Sequence, residues 1–190
     1  SDRLLQLIQK GVTVEQVAKV AGNLTSAGIM VHAYLMYGFP TQTVQETVDS
    51  LEMVRQLFQT EVIRSGFWHQ FALTAHSPVG QDPEAYGLVT EKHEITFANN
   101  DIQFSDKTNI DHDKFSYGLK KSLYNYMHGI GYEFPLQEWF NFKIPRTTVD
   151  DDFILKCLAQ EEPLVIRPHA KWVWLGKSPE ISAINKIIKG

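Results

Sequence analysis

Residues 34–43 read Tyr34-Leu35-Met36-Tyr37-Gly38-Phe39-Pro40-Thr41-Gln42-Thr43. An apolar run ends on Gly38-Phe39-Pro40. A helix starts at once, because Thr43-Val44-Gln45-Glu46 has the form of a capping box. A strand that stops on glycine and proline just before a helix has two readings. It is a tight turn, or it is a place where something approaches the main chain, since glycine has no Cβ. Upstream, residues 29–37 are apolar on both faces, the pattern of a doubly covered parallel strand. Downstream, Val44, Val48, Leu51, Val54 and Phe58 recur on one helical face. Residues 66–74, "GFWHQFALT", read as the next strand. Strand, capped helix and strand predict a βαβ unit with parallel strands.

The same reading extends to the ends. Residues 2–9 predict a helix that Lys10-Gly11 closes. Thr13-Val14-Glu15-Gln16 is another capping box, followed by Val14, Val17, Ala18, Ala21 and Leu24 at helical spacing, and Gly28 stops that helix. Residues 78–88 predict a loop or short helix, and 94–104 a hairpin turning at Asn99-Asn100. Residues 111–128 predict a long helix with Phe115, Leu119, Leu123 and Tyr126 inward, ended by Gly129 and Gly131. A short helix is expected over 148–160, and short strands over 164–166 and 172–175, where Trp172 and Trp174 share a face. The organisation changes near residue 90. The expected fold class is α/β, with a partial β/α barrel over 1–90 and a mainly helical appendage over 91–190.

The chain has 190 residues, 43% hydrophobic and 21% charged, enough to bury a core. Its 18 basic against 22 acidic residues give a net charge of −4, which offers no reason to expect nucleic acid. No apolar run approaches the ~20 residues of a membrane span. The single cysteine, Cys157, excludes an internal disulfide and a Cys-rich metal site, and suits a reducing cytoplasm.

In parallel α/β sheets, ligands bind at the carboxyl ends of the strands. Gly38 lies at such an end. The free amides at the start of the following helix are expected to meet a polar or anionic group. Pro40 fixes the turn.

Residues 2–58 resemble the second half of a radical S-adenosylmethionine (SAM) domain. They are similar to the Fe–S oxidoreductase group in which a cobalamin-binding domain often precedes that domain. The matching pieces are Lys10-Gly11-Val12-Thr13, Ala27-Gly28-Ile29 at a strand entry, and Gly38-Phe39-Pro40 before a capped helix. His76-Ser77-Pro78-Val79-Gly80 and Tyr86-Gly87-Leu88 resemble that group's loop after the next strand. The resemblance covers about half the chain, roughly residues 1–90.

What the resemblance implies is a full or partial β/α barrel that cleaves SAM reductively at a [4Fe–4S] cluster and starts radical chemistry on a small-molecule or unknown substrate. It places Met36 at the apolar adenine contact and Gly38 at the second glycine of a Gly-x-Ile-x-Gly pattern. Phe39, Pro40 and Gln42 join them as cofactor-side candidates, and His69, Gln70, Leu73 and His76 are substrate-side candidates. Tyr34 stands where the first glycine is expected, and Thr41-Gln42-Thr43 where Gly-Glu-Thr often follows. The family's CxxxCxxC motif is absent from this chain. The reading is therefore of a C-terminal fragment. Its partner would be the missing N-terminal half, holding the cluster, most of SAM and, where present, cobalamin. No cofactor or metal is expected on the fragment itself, nor activity from it alone. The strand over 29–37 would then expose an unpaired edge, which predicts self-association or a segment folded along it. The competing reading is a non-catalytic α/β binding or assembly module.

The remaining chemistry-bearing residues have plain readings. His69 and His76 lack a compact ligand spacing, and His112 and His128 are ~24 Å apart along one helix at ~1.5 Å per residue. Cys157 reads as a buried, inert thiol. Asp150-Asp151-Asp152 favours a helix start. Tyr124, Tyr126, Tyr132, Phe134, Trp139, Phe140 and Phe142 read as core under the long helix, or as the lining of a channel.

Overall fold

The computed structural model describes residues 1–91, 100–159, 180–181 and 188–189. The expected strands over 164–166 and 172–175, and the Asn99 side of the expected hairpin turn, lie outside the described residues. Ser1–Gln160 form one compact unit. Glu161–Gly190 form another, in which Glu180–Ile181 pairs antiparallel with Ile188–Lys189.

The first unit is mixed α/β. It runs α1 (Asp2–Leu7), α2 (Val14–Ser26), β1 (His32–Tyr37), α3 (Val44–Gln59), β2 (Ser65–Gln70), α4 (Pro78–Gln81), β3 (Leu88–Thr90), β4 (Phe104–Asp106), α5 (Ser116–Met127) and α6 (Phe153–Ala159). Both capping boxes form: Thr13 and Thr43 each accept from the amide three residues on, and Gln16 and Glu46 bond back. β1 and β2 pair in parallel, with Tyr34 beside Phe67, Met36 beside His69 and Tyr37 beside Gln70. The βαβ unit expected from the sequence is therefore present, around a sheet of two strands.

The two faces of that sheet differ. Ala33, Leu35, Tyr37 and Trp68 join the main core with Val48, Leu51 and Val54 of α3 and with Leu119 and Leu123 of α5. Val48, Leu51 and Leu119 are fully buried, and each such side chain is worth about 2 kcal/mol of transfer free energy. The other face is open. Tyr34 is 77% exposed and Phe67 49%. This corrects the expectation of a doubly covered strand: an apolar run reports hydrophobicity, not coverage. The rings of His32, Tyr34, Phe67 and His69 instead lie against one another, with Tyr34 5.7 Å from His69 and 6.1 Å from Phe67. No described strand pairs with the second edge of β1. A mostly apolar groove of about 310 Å³ runs beside it, between α1, α2 and α3.

Helix α2 buries Ala18 and Ala21 but leaves Val17 and Leu24 exposed. It meets α6 through small residues, since a Cβ at Gly22 would come within 2.8 Å of Leu158. All four expected inward residues are buried, Phe115 in the turn just before α5 and Leu119, Leu123 and Tyr126 within it. The aromatic run divides. Tyr126, Trp139 and Phe140 are core, with Trp139 Nε1 donating to the Tyr126 hydroxyl at 2.9 Å, while Tyr124 and Phe134 stay exposed. The change of organisation expected near residue 90 falls inside the first unit, because α5 and α6 pack on the same core as α3. Strand β4 pairs with β3, so Phe104 lies opposite Thr90. A second small core gathers Leu4, Phe39, Leu73, Val79 and Leu88.

Candidate functional site

The turn after β1 is closed by its own polar groups. Gly38 has φ +73°, a left-handed conformation that favours glycine. Its N–H donates to Gln42 Oε1 at 2.6 Å, and Phe39 N–H reaches the same oxygen at 3.3 Å. Thr41, also left-handed, donates its N–H to Asp106 Oδ2 at 2.9 Å. The Gln42 amide donates to the Phe39 carbonyl, and Thr43 N–H to Glu46 Oε2. Glu46 also accepts from Ser1 Oγ and from Arg3 at 2.7 Å, tying α1 to the start of α3. Burial acts against ionisation of Glu46, but the bonds from Arg3, Thr43 and Ser1 prevail and hold its pKa down to about 2. The amides of the turn are thus occupied within the chain, and at the start of α3 the Glu46 N–H donates to Thr43 Oγ1. Phe39, Pro40 and Gln42 are buried, so they serve as the closed wall of the turn.

What approaches Gly38 is another part of the same chain. A Cβ there would lie 3.2 Å from His112 Cβ and 3.3 Å from Gln70 Cγ. Beside this contact, at the carboxyl ends of β1 and β2, is a cavity of about 290 Å³. Gly38, Gln70, Phe71, Phe104, Asp106 and His112 form its walls, with Asp111 and Asp113 at the helix approach. Both ring nitrogens of His112 are shut off from solvent and have no partner. Burial lowers the imidazole's pKa, outweighing the nearby Asp106 and Asp111 carboxylates. At neutral pH the ring is uncharged, so one nitrogen is an acceptor and the other a donor. Asp106 is ionised: burial opposes this, but the Thr108 hydroxyl and the Thr41 and Thr108 amides bond to it and lower its pKa. Gln70 Oε1 accepts from the Tyr37 hydroxyl at 3.2 Å. Phe71 and Phe104 meet edge to face at 5.6 Å.

Of the nine residues singled out in the sequence, Gly38 and Gln70 line this cavity. Met36 and His69 sit side by side in the sheet register, alongside Tyr34. Leu73 is in the second core and His76 is exposed on the loop before α4. His112 and Asp106 were missed as site residues. They come from the chain beyond residue 90, and no local motif marks them. The reactive thiol chemistry of a cluster is not available here. Cys157 is buried in α6, burial raises its pKa, and no group of three His, Cys, Asp or Glu among the described residues could hold a metal. The residues present do not fit a [4Fe–4S] cluster. The atoms that stand against Gly38 are those of His112 and Gln70 of the same chain. No family model matches the chain, and neither a curated protein nor a solved structure matches it.

Proposed function

We propose that this chain is the C-terminal part of a radical SAM enzyme of the Fe–S oxidoreductase group. In this reading the β1–α3–β2 unit belongs to a partial β/α barrel, and its strand ends form one wall of the reaction chamber. The observation that carries the proposal is the parallel βαβ unit whose first strand ends on Gly38 beside a cavity. The order of the motifs from Lys10-Gly11 to Tyr86-Gly87 supports it.

Cluster ligands are assigned to residues outside this chain, and no reaction step is written through the cluster or SAM. The chain's own part is to bind and orient. Gln70 and His112 offer polar contacts, Phe71 and Phe104 exclude water, and the closed Gly38–Gln42 turn holds the strand end rigid. The test is the coding sequence in frame upstream of Ser1. A Cys-x3-Cys-x2-Cys motif there supports the reading, and its absence from the complete reading frame overturns it.

A second reading, a binding or assembly module, draws on one observation. The Tyr34 and Phe67 face of the sheet is exposed, and contiguous exposed apolar surface is a common mark of interaction sites. The same coding sequence discriminates between the two.

A further inference from the structure

We infer that the free edge of β1 is a self-association surface, on which a second copy of this chain pairs its own β1 antiparallel about a two-fold axis at Tyr34. Three features carry this. The first is the direction of the backbone groups. The Tyr37 carbonyl accepts the Phe71 N–H at 2.8 Å, so the odd-numbered residues of β1 bond toward β2. Hydrogen-bonding groups alternate along a strand, so the backbone N–H and C=O of His32, Tyr34 and Met36 point to the opposite edge. Among the described residues nothing pairs with them. His32 is exposed, and Tyr34 is 77% exposed. An edge of this kind normally carries a lysine, a proline or a bulge that keeps other strands away. The stretch His32–Tyr37, "HAYLMY", has neither residue, and it pairs with β2 residue for residue, without a bulge.

The second feature is that this edge fits itself. A two-fold axis at Tyr34 sets Tyr34 opposite its own copy, and His32 of each copy opposite Met36 of the other. Each of these pairs brings N–H against C=O in both directions, as hydrogen-bonded antiparallel pairs do. No charged side chain of β1 meets its like across the axis. On the open face the two Tyr34 rings meet, and the row of Tyr34, Phe67 and His69 continues across a four-stranded sheet. On the helical face Leu35 of each copy comes opposite Ala33 of the other, beside the groove of about 310 Å³ that α1, α2 and α3 leave along this edge. Leu5, Ile8, Val14 and Val17, which line that groove, then lose water. The third feature is area. Six residues of strand are about 20 Å long. A footprint of that length across the strand edge and the helices beside it, each about 10 Å wide, is on the order of 600 Å² per copy, against about 800 Å² for a standard interface. That is enough for a reversible dimer with a dissociation constant on the order of micromolar.

The inference rests on the β1 edge and not on the radical SAM reading, and the two fail separately: one by oligomeric state, the other by the upstream coding sequence. The experiment is sedimentation equilibrium of the 190-residue chain from about 5 to about 500 µM, a range that brackets a micromolar dimer. Hydrogen exchange of the backbone amides is followed at both ends of that range. A monomer–dimer equilibrium is expected. The His32, Tyr34 and Met36 amides should slow at the high concentration, and those of Ala33 and Leu35 should not change, because they already bond to β2. Tyr34→Lys brings two like charges together on the axis and is expected to weaken the dimer at least about tenfold. Tyr34→Pro removes an N–H that β2 does not use, which an edge strand tolerates, and is expected to weaken the dimer by a similar factor. The exchange pattern is read on the unaltered chain, so it decides whichever variant folds. A chain that stays monomeric across the whole range overturns the inference. So does a dimer that both variants leave intact, or one in which the Tyr34 amide exchanges as fast as in dilute solution, since either dimer uses another surface.

Discussion

The turn at Gly38–Gln42 and the facing wall at Asp106–His112 lie a few ångströms apart and are built on opposite terms. In the turn, the amides of Gly38, Phe39, Thr41, Gln42 and Thr43 all donate within the chain, and one buried glutamine oxygen serves two of them. In the wall, His112 is partly buried, and its two ring nitrogens are shut off from solvent with neither paired. A buried hydrogen bond that is made adds little net stability, while one left unmade costs more. The turn is therefore finished as structure. The wall retains an unfilled hydrogen-bonding capacity.

The largest expected effect comes from breaking the contact between the two regions. Gly38→Val places a β-branched side chain at φ +73° and against His112 and Gln70. It is expected to cost about 3 kcal/mol, from left-handed strain and overpacking together. Urea denaturation measures this, and a loss under half that size would mean that His112 swings away freely. Next, Gln42→Leu keeps the volume of a fully buried side chain but strips the acceptor from two amides. A loss of about 2 kcal/mol is expected, accompanied by faster hydrogen exchange at Gly38 and Phe39.

Glu46→Gln tests the outer brace of the turn and is expected to cost about 1 kcal/mol at neutral pH, since its pairs are partly exposed. The sign with pH is fixed by its lowered folded-state pKa of about 2, against an ordinary value of 4.5. Its contribution is complete above the ordinary value and is lost as pH falls from there through about 2. Wild type should therefore lose more stability than Glu46→Gln on acidification across that window. Parallel curves would remove Glu46 from the account.

Much of the first region was legible in the sequence because its signals are local. Thr13-Val14-Glu15-Gln16 and Thr43-Val44-Gln45-Glu46 carry their caps within four residues, and Gly38-Phe39-Pro40 marks the strand end. The burial of Phe115, Leu119, Leu123 and Tyr126 follows from helical spacing alone. The second region was not legible. His112 meets Gly38 across 74 positions, and Asp106 meets Thr41 across 65, so no periodicity or motif connects them. The open side of β1 was misread for a related reason. Tyr34 and Met36 are apolar whether or not another layer covers them, and coverage is decided by distant chain. The glycine at position 38 did signal a close approach, but the sequence alone left its source open. It is His112, from the loop that leads into α5.

The smallest expected effect is the most informative, because its sign is opposite. His112→Leu replaces two unpaired buried nitrogens with carbon. Stability at neutral pH is expected to stay level or rise by up to about 1 kcal/mol, since apolar replacement of unsatisfied groups is near neutral or favourable. Wild type should also weaken as pH drops below the ordinary histidine value, because the unfolded chain takes up the proton that the buried ring, facing Asp106, Asp111, Asp113 and Lys114, accepts less readily. Urea unfolding of Gln42→Leu and His112→Leu side by side, at one neutral pH, tests the contrast most directly. The account predicts a clear loss for Gln42→Leu and none for His112→Leu. An equal loss in both would make His112 a structural residue like Gln42 and contradict the account.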